Sequence, residues 1–222
     1  MFQESHIRHV LTDPTLGAVR KSLPPGQVLC EAQDPAEKLF FIEEGQVRVY
    51  QVGPNQASRL IEILGPEDWF GVSALAEHAE YGSRVIAVGP VTILEVPAKA
   101  MLERLAAHPD AAVELVKQLA TKHASMTAEA SEMVFDDCNG RLIKTLLRFS
   151  NSAAATPIDD DSVVLRITHE QLAQAIGAAR ETISLALTEL RKQNLLRTGR
   201  NQLFFNPSIL KKFAEGNGPD GN

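Results

Sequence analysis

Several things are scarce in this sequence, and each scarcity excludes a class of protein. Only 2 of the 222 residues are cysteine, and Cys30 and Cys138 lie far apart in the chain. That excludes a disulfide scaffold, a zinc knuckle and a four-cysteine iron–sulfur cluster held by one chain. No stretch approaches the roughly 18 consecutive apolar residues of a membrane span. The opening Met1 to His6 also lacks the basic and apolar blocks of an export signal. A cytoplasmic protein with no membrane partner is expected. There is no Ser/His/Asp set, metal-ligand cluster or phosphate-cradling glycine loop, so neither an enzyme nor a metal site is expected.

Positive charge is short overall, with a formal net charge of -6. The shortage is confined to one part of the chain: up to residue 136 there are 11 basic and 19 acidic residues, and after it 11 and 9. Within 162–212 eight basic residues stand against three acidic ones, a local excess able to neutralise phosphates.

The pattern of elements divides at about the same place. Between Leu23 and Val96, β-type runs at 27–30, 39–42, 46–50, 60–64, 85–88 and 91–96 are punctuated by glycines, which predicts a small antiparallel roll or barrel. From Ala98 to about Val134 there is one proline and no glycine, which reads as a short helix running into a long one. Val116, Leu119, His123, Met126, Ala130 and Met133 follow alternating steps of three and four, the seam of a coiled coil. The long helix is therefore expected to pair with its copy in a second subunit; the alternative is a helix lying on its own domain's core. Asp136 and Asp137 stand at a break as N-cap residues. An amphipathic helix from Arg141 to Phe149, a polar linker from Ser150 to Ser162 and a strand at 163–167 follow.

The stretch from Thr168 to Leu187 has the layout of a helix-turn-helix. Thr168 with Gln171 forms a capping box, Leu172 and Ile176 give the inner face of a first helix, and Gly177 permits the turn. Ile183, Leu187 and Leu190 would face inward from the second helix. That leaves Arg180, Glu181, Ser184 and Leu185 at the exposed end that enters the major groove. Arg reads guanine O6 and N7, Glu accepts from cytosine N4, Ser serves either partner, and Leu185 suits a thymine methyl. Arg197 to Asn201, between apolar runs, reads as a hairpin wing whose Arg197 and Arg200 meet phosphates or, alternatively, solvent. Thr168, His169 and Thr182 are further phosphate candidates.

These pieces together resemble the CRP/FNR family of regulators over about residues 20–212. The resemblance rests on the turn glycines of the roll, Asp68-Trp69-Phe70-Gly71, the long helix ending in Phe135-Asp136-Asp137, and Gly177-Ala178-Ala179-Arg180-Glu181-Thr182-Ile183. It implies an α+β chain in three parts: a β-roll sensor domain of the cyclic-nucleotide-binding type with a short N-terminal helix (1–97), a dimerisation helix (98–136) and a winged helix-turn-helix (137–215), before a flexible tail (216–222). It further implies a homodimer on a pseudo-palindromic operator, RNA polymerase as a partner, and an effector that reorients the DNA-binding pair about an Asp136-Asp137 hinge. Arg180 and Glu181 match the family's base readers and Ser184 the serine of the FNR branch. Leu185 replaces a common Arg, and Ala179 a common Ser cap.

The effector pocket is implied at Phe70, Gly71, Val72, Ser73, Tyr81 and Arg84, with His123, Met126 and Thr127 from the long helix. Cyclic-nucleotide-binding relatives place a Glu where Val72 stands and an Arg followed by Ser or Ala where Tyr81-Gly82 stands. Burying a phosphate without an opposing cation costs several kcal/mol, so no response to cyclic AMP is expected. The chain also resembles the carbon-monoxide-sensing haem branch of the family, whose ligating Cys and His fall on Gly71 and Ser73 here. A haem- or metal-dependent gas or redox sensor is the alternative reading, and the effector is otherwise unidentified.

Overall fold

A computed structural model describes Val10, residues 16–54 and 57–216, apart from the side chains at 129 and 132–135. The expected N-terminal helix (Val10 aside), the tail beyond residue 216 and the side chain of Met133 lie outside the described residues. The chain divides into two compact units, Met1–Val52 with Leu64–Ser131, and Gly53–Ile63 with Glu132–Asn222.

Eight strands make up the roll: β1 (Val19–Leu23), β2 (Val28–Cys30), β3 (Lys38–Glu44), β4 (Val47–Val52), β5 (Ser58–Leu64), β6 (Trp69–Phe70), β7 (Arg84–Ala87) and β8 (Val91–Pro97). They form two sheets, β1-β8-β3-β6 and β2-β7-β4-β5. Six of these strands fall on the runs expected from sequence. The other two, β1 and β6, lacked the pattern. In β1, four of five residues are exposed, and it is a strand because it pairs along its length with β8, from Val19 opposite Glu95 to Leu23 opposite Val91. Beside that pairing Glu95 accepts from both Lys21 and Lys38 at 2.9 Å.

Helix α1 (Ala98–Ala107) and the long α2 (Pro109–Phe135) follow the last strand. Met101 and Leu105 of α1 and Ala111 and Leu115 of α2 bury against Leu39, Phe41 and Val96 of the roll. Trp69 adds a polar tie, its indole N–H donating to Gln118 Oε1 at 2.8 Å.

In the second unit, α3 (Cys138–Phe149) begins three residues before the expected Arg141. Asp137 caps it by accepting from the Gly140 amide at 2.7 Å, and this cap carries the helix through the poor helix former Gly140. Asp136 pairs with Lys144 at 2.8 Å. The expected linker 150–162 is not featureless. It contains β9 (Ala155–Pro157), which turns at Asp159 and pairs with β10 (Val163–Leu165). The Asp159 carboxylate accepts from the amides of Asp161 and Ser162, closing a hairpin that a run of polar residues conceals. Then come α4 (His169–Ile176), α5 (Arg180–Lys192), β11 (Leu196–Gly199), β12 (Gln202–Phe205) and α6 (Pro207–Ala214), with sheet order β11-β12-β10-β9.

Candidate nucleic-acid interface and effector pocket

The candidate interface is assembled locally. Thr168 Oγ1 accepts from the Gln171 amide at 3.2 Å, and Gln171 Oε1 accepts from the Thr168 amide at 2.9 Å, so the expected capping box starts α4. Gly177 ends that helix at φ 67°, a left-handed cap that glycine adopts without strain. Two residues on, α5 starts from Ala179, whose extended backbone is that of an N-cap but whose side chain accepts nothing. Among the described residues no side-chain cap hydrogen bond closes the start of α5, and a helix start of this kind presents its N–H groups and positive dipole end to an anion.

One face of α5 is fixed by packing: Ile183, Ala186, Leu187 and Leu190 are buried. The opposite face carries Arg180, Glu181 and Thr182, all exposed, and Leu185, 74% exposed.

Ser184 lies at the margin, half-buried. Its hydroxyl donates to the Arg180 carbonyl at 3.0 Å and lies 2.9 Å from His169 Nδ1 at the start of α4. His169, a phosphate candidate from the sequence, thus brings one ring nitrogen to α5. Nothing in the periodicity signals this, because the two residues are 15 apart in the chain and meet only through side-chain geometry.

The wing is the β11–β12 hairpin, turning through Arg200 and Asn201, with Asn201 at φ 56°. Arg197 holds its guanidinium 5.9 Å from the centre of the Phe204 ring, and Arg200 is exposed at the tip.

In the roll, two of the residues given to an effector, Phe70 and Tyr81, pack on Phe40. Phe40 and Phe70 stack at 4.8 Å, and Tyr81 lies 5.8 Å from Phe40. The Tyr81 hydroxyl donates to the Lys38 carbonyl at 3.1 Å and accepts from the Lys38 amide at 3.3 Å. Burial pushes this phenol above its ordinary value despite the stabilising bond to Lys38. Gly71, at φ 82°, fits only as glycine: a Cβ there would come within 2.8 Å of the Lys38 carbonyl oxygen. Val72 and Ser73 follow in a short 3-10 turn, and Arg84 pairs with Glu31 at 2.7 Å.

On α2, Val116, His123, Met126, Thr127 and Ala130 are exposed. Leu119 is half-buried and packs against its own roll's core, and Val113, outside the expected seam, is exposed.

Two family models match, the cyclic nucleotide-binding domain over residues 20–108 and the Crp-like helix-turn-helix domain over 140–213. The chain is 25% identical over 191 residues to a CRP-like cAMP-activated global transcriptional regulator of Mycobacterium tuberculosis, covering 82% of this chain and 84% of that protein. It is 28% identical over 174 residues to the cAMP-activated global transcriptional regulator CRP of Pasteurella multocida, covering 78% and 83%. Its fold is similar to that of a CRP/FNR-family transcriptional regulator of Thermus thermophilus, with a TM-score of 0.70 at 25% identity, over 90% of this chain and all of that one. With a roll of the cyclic-nucleotide-binding type, a long helix and a Crp-like helix-turn-helix in this order, the chain belongs to the CRP/FNR family of DNA-binding transcription regulators, which are not enzymes.

Proposed function

We propose that the chain works as a homodimer that reads a pseudo-palindromic operator with Arg180, Glu181, Ser184 and Leu185, under the control of a small effector other than cyclic AMP. The observation that carries the reading is the two-sided character of α5: an inner face packed shut, and an outer N-terminal face holding a cation, a carboxylate and an exposed leucine. Arg180 and Glu181 would take the two strands of one G·C pair, and Leu185 a thymine methyl. Thr168, Thr182, Arg197 and Arg200, with the uncapped amides of α5, would hold phosphates. In this scheme residues 1–97 sense, 98–136 dimerise, 137–215 bind DNA with Asp136-Asp137 as the hinge, and the output reaches RNA polymerase in the cytoplasm.

The two quoted relatives are described as activated by cyclic AMP. The residues of this chain do not fit that ligand. Val72 offers nothing to a ribose hydroxyl, Tyr81 spends its hydroxyl on the backbone of Lys38, and Arg84 is matched by Glu31. The haem alternative fares no better, since the family's ligand positions hold Gly71, where no side chain has room, and Ser73, a weak donor to iron.

Selection from randomised duplex DNA tests the reading. Arg180→Ala should abolish enrichment of the preferred G·C pair while leaving subunit assembly unchanged, and a variant that still selects the wild-type motif would refute the base-reading assignment.

A further inference from the structure

Serine is an ambiguous reader, because its hydroxyl can donate to a guanine or thymine oxygen or accept from an adenine or cytosine amine. In this chain the ambiguity is removed from inside the protein. The Ser184 hydroxyl has one hydrogen and two acceptors within reach of it, the Arg180 carbonyl at 3.0 Å and His169 Nδ1 at 2.9 Å. If Nδ1 carries a proton, it donates to Ser184 Oγ and the serine hydrogen goes to the Arg180 carbonyl. If Nδ1 is bare, the serine hydrogen goes to it. In both arrangements the hydrogen points into the protein and at least one lone pair of Oγ is left for DNA.

We infer that His169 is a specificity-positioning residue: through Nδ1 it makes Ser184 an obligate acceptor, so that the contacted base must bear an exocyclic amine, adenine N6 or cytosine N4. This rests on the proposed role of Ser184 as a base reader, and it assigns His169 a different job from a phosphate contact. The two jobs leave different signatures. Loss of a phosphate contact weakens binding to all sequences alike, whereas loss of a positioning contact changes preference at one base position.

Without the imidazole, only the bond to the Arg180 carbonyl at 3.0 Å holds the serine hydrogen inward, and a base oxygen can compete with that single acceptor, so the hydroxyl can turn and donate. Asparagine at the same place puts an amide close to where Nδ1 stands and should restore the restraint.

The full chain, as wild type and as His169→Ala, His169→Asn, Ser184→Ala and the His169→Ala/Ser184→Ala double variant, is put through selection from randomised duplex DNA at low salt, with thermal unfolding as a control for folding. The wild type should enrich adenine or cytosine over guanine or thymine at one position of each half-site, and Ser184→Ala should erase that preference. His169→Ala should lower the amine-to-carbonyl base ratio at that same position by roughly fivefold to tenfold, a size expected for one base-edge contact. His169→Asn should restore it, and the double variant should match Ser184→Ala. A uniform loss of affinity in His169→Ala, an unchanged motif, or a change at some other position would each overturn the inference while leaving the DNA-reading role of α5 intact. A wild type that enriches no motif would instead overturn the reading on which it rests.

Discussion

Cys30 shows how a single residue's surroundings decide its chemistry. Its side chain is 3% exposed on β2, where the thiol donates to the Ser83 carbonyl at 3.8 Å. Burial first, and then the negative charge of Asp34, push its pKa up to about 12. The thiolate is the reactive form, so this thiol is inert at neutral pH. A Cys138→Ser chain should therefore take up no iodoacetamide in native buffer at pH 8 and one equivalent per chain in denaturant, read by intact mass. Native labelling at the rate of a free thiol would contradict the burial argument. The sequence supports the same reading of Cys30 as a small apolar residue on a strand, because an isolated cysteine within an apolar run carries that information itself. The His169 contact with Ser184 carries no such signal, since it depends on how α4 and α5 cross and on the rotamers of both side chains.

At the scale of elements, the two helices of the reading motif begin differently. Thr168 closes a complete capping box on α4, and Ala179 leaves α5 without a side-chain cap although its φ of -72° and ψ of 145° suit one. Replacing a good N-cap by alanine costs about 1 kcal/mol, and the reverse change at a compatible backbone gains a similar amount. Ala179→Ser should thus raise stability by about 1 kcal/mol and Thr168→Ala lower it by about the same, with Thr168→Ser near neutral, measured from the midpoints of urea unfolding. If Ala179→Ser left the midpoint unchanged, the first turn of α5 would already have its acceptors. The motif was legible because every part of it is local: cap, inner-face spacing and left-handed glycine lie within twenty residues. The elements that sequence missed have the opposite property. Strands β1 and β9 are largely exposed and unpatterned, and only their partners β8 and β10 make them strands. The amphipathic pattern begins only at Arg141, beyond Gly140 with its low helix propensity, while the Asp137 cap starts α3 at Cys138.

At the scale of the whole molecule, the outer face of α2 stands open. This helix of 27 residues, about 40 Å long, leaves Val113, Val116 and Met126 at 53%, 64% and 60% exposure while Ala111 and Leu115 bury against the roll. Leu119 belongs partly to that inner packing, so the alternating seam drawn from the sequence is shared between the two faces rather than given wholly to the outer one. Burying side chains of this size contributes about 1.5–3 kcal/mol each, and the proposed dimer would draw on that gain. A dimer would also set two α5 helices against adjacent major grooves, with half-sites about 34 Å apart. Val116→Asp with Met126→Asp places a charge at two points of that face without touching α5. Light scattering should then show the particle fall from twice the 24.2 kDa chain mass to one chain. Affinity for a full palindromic site should drop by about a hundredfold or more, the size of a lost second attachment, with affinity for an isolated half-site preserved. If the wild type runs as a monomer at micromolar concentration, or the double variant stays a dimer, the outer face of α2 is not the interface, and two-site reading would need a different contact between subunits.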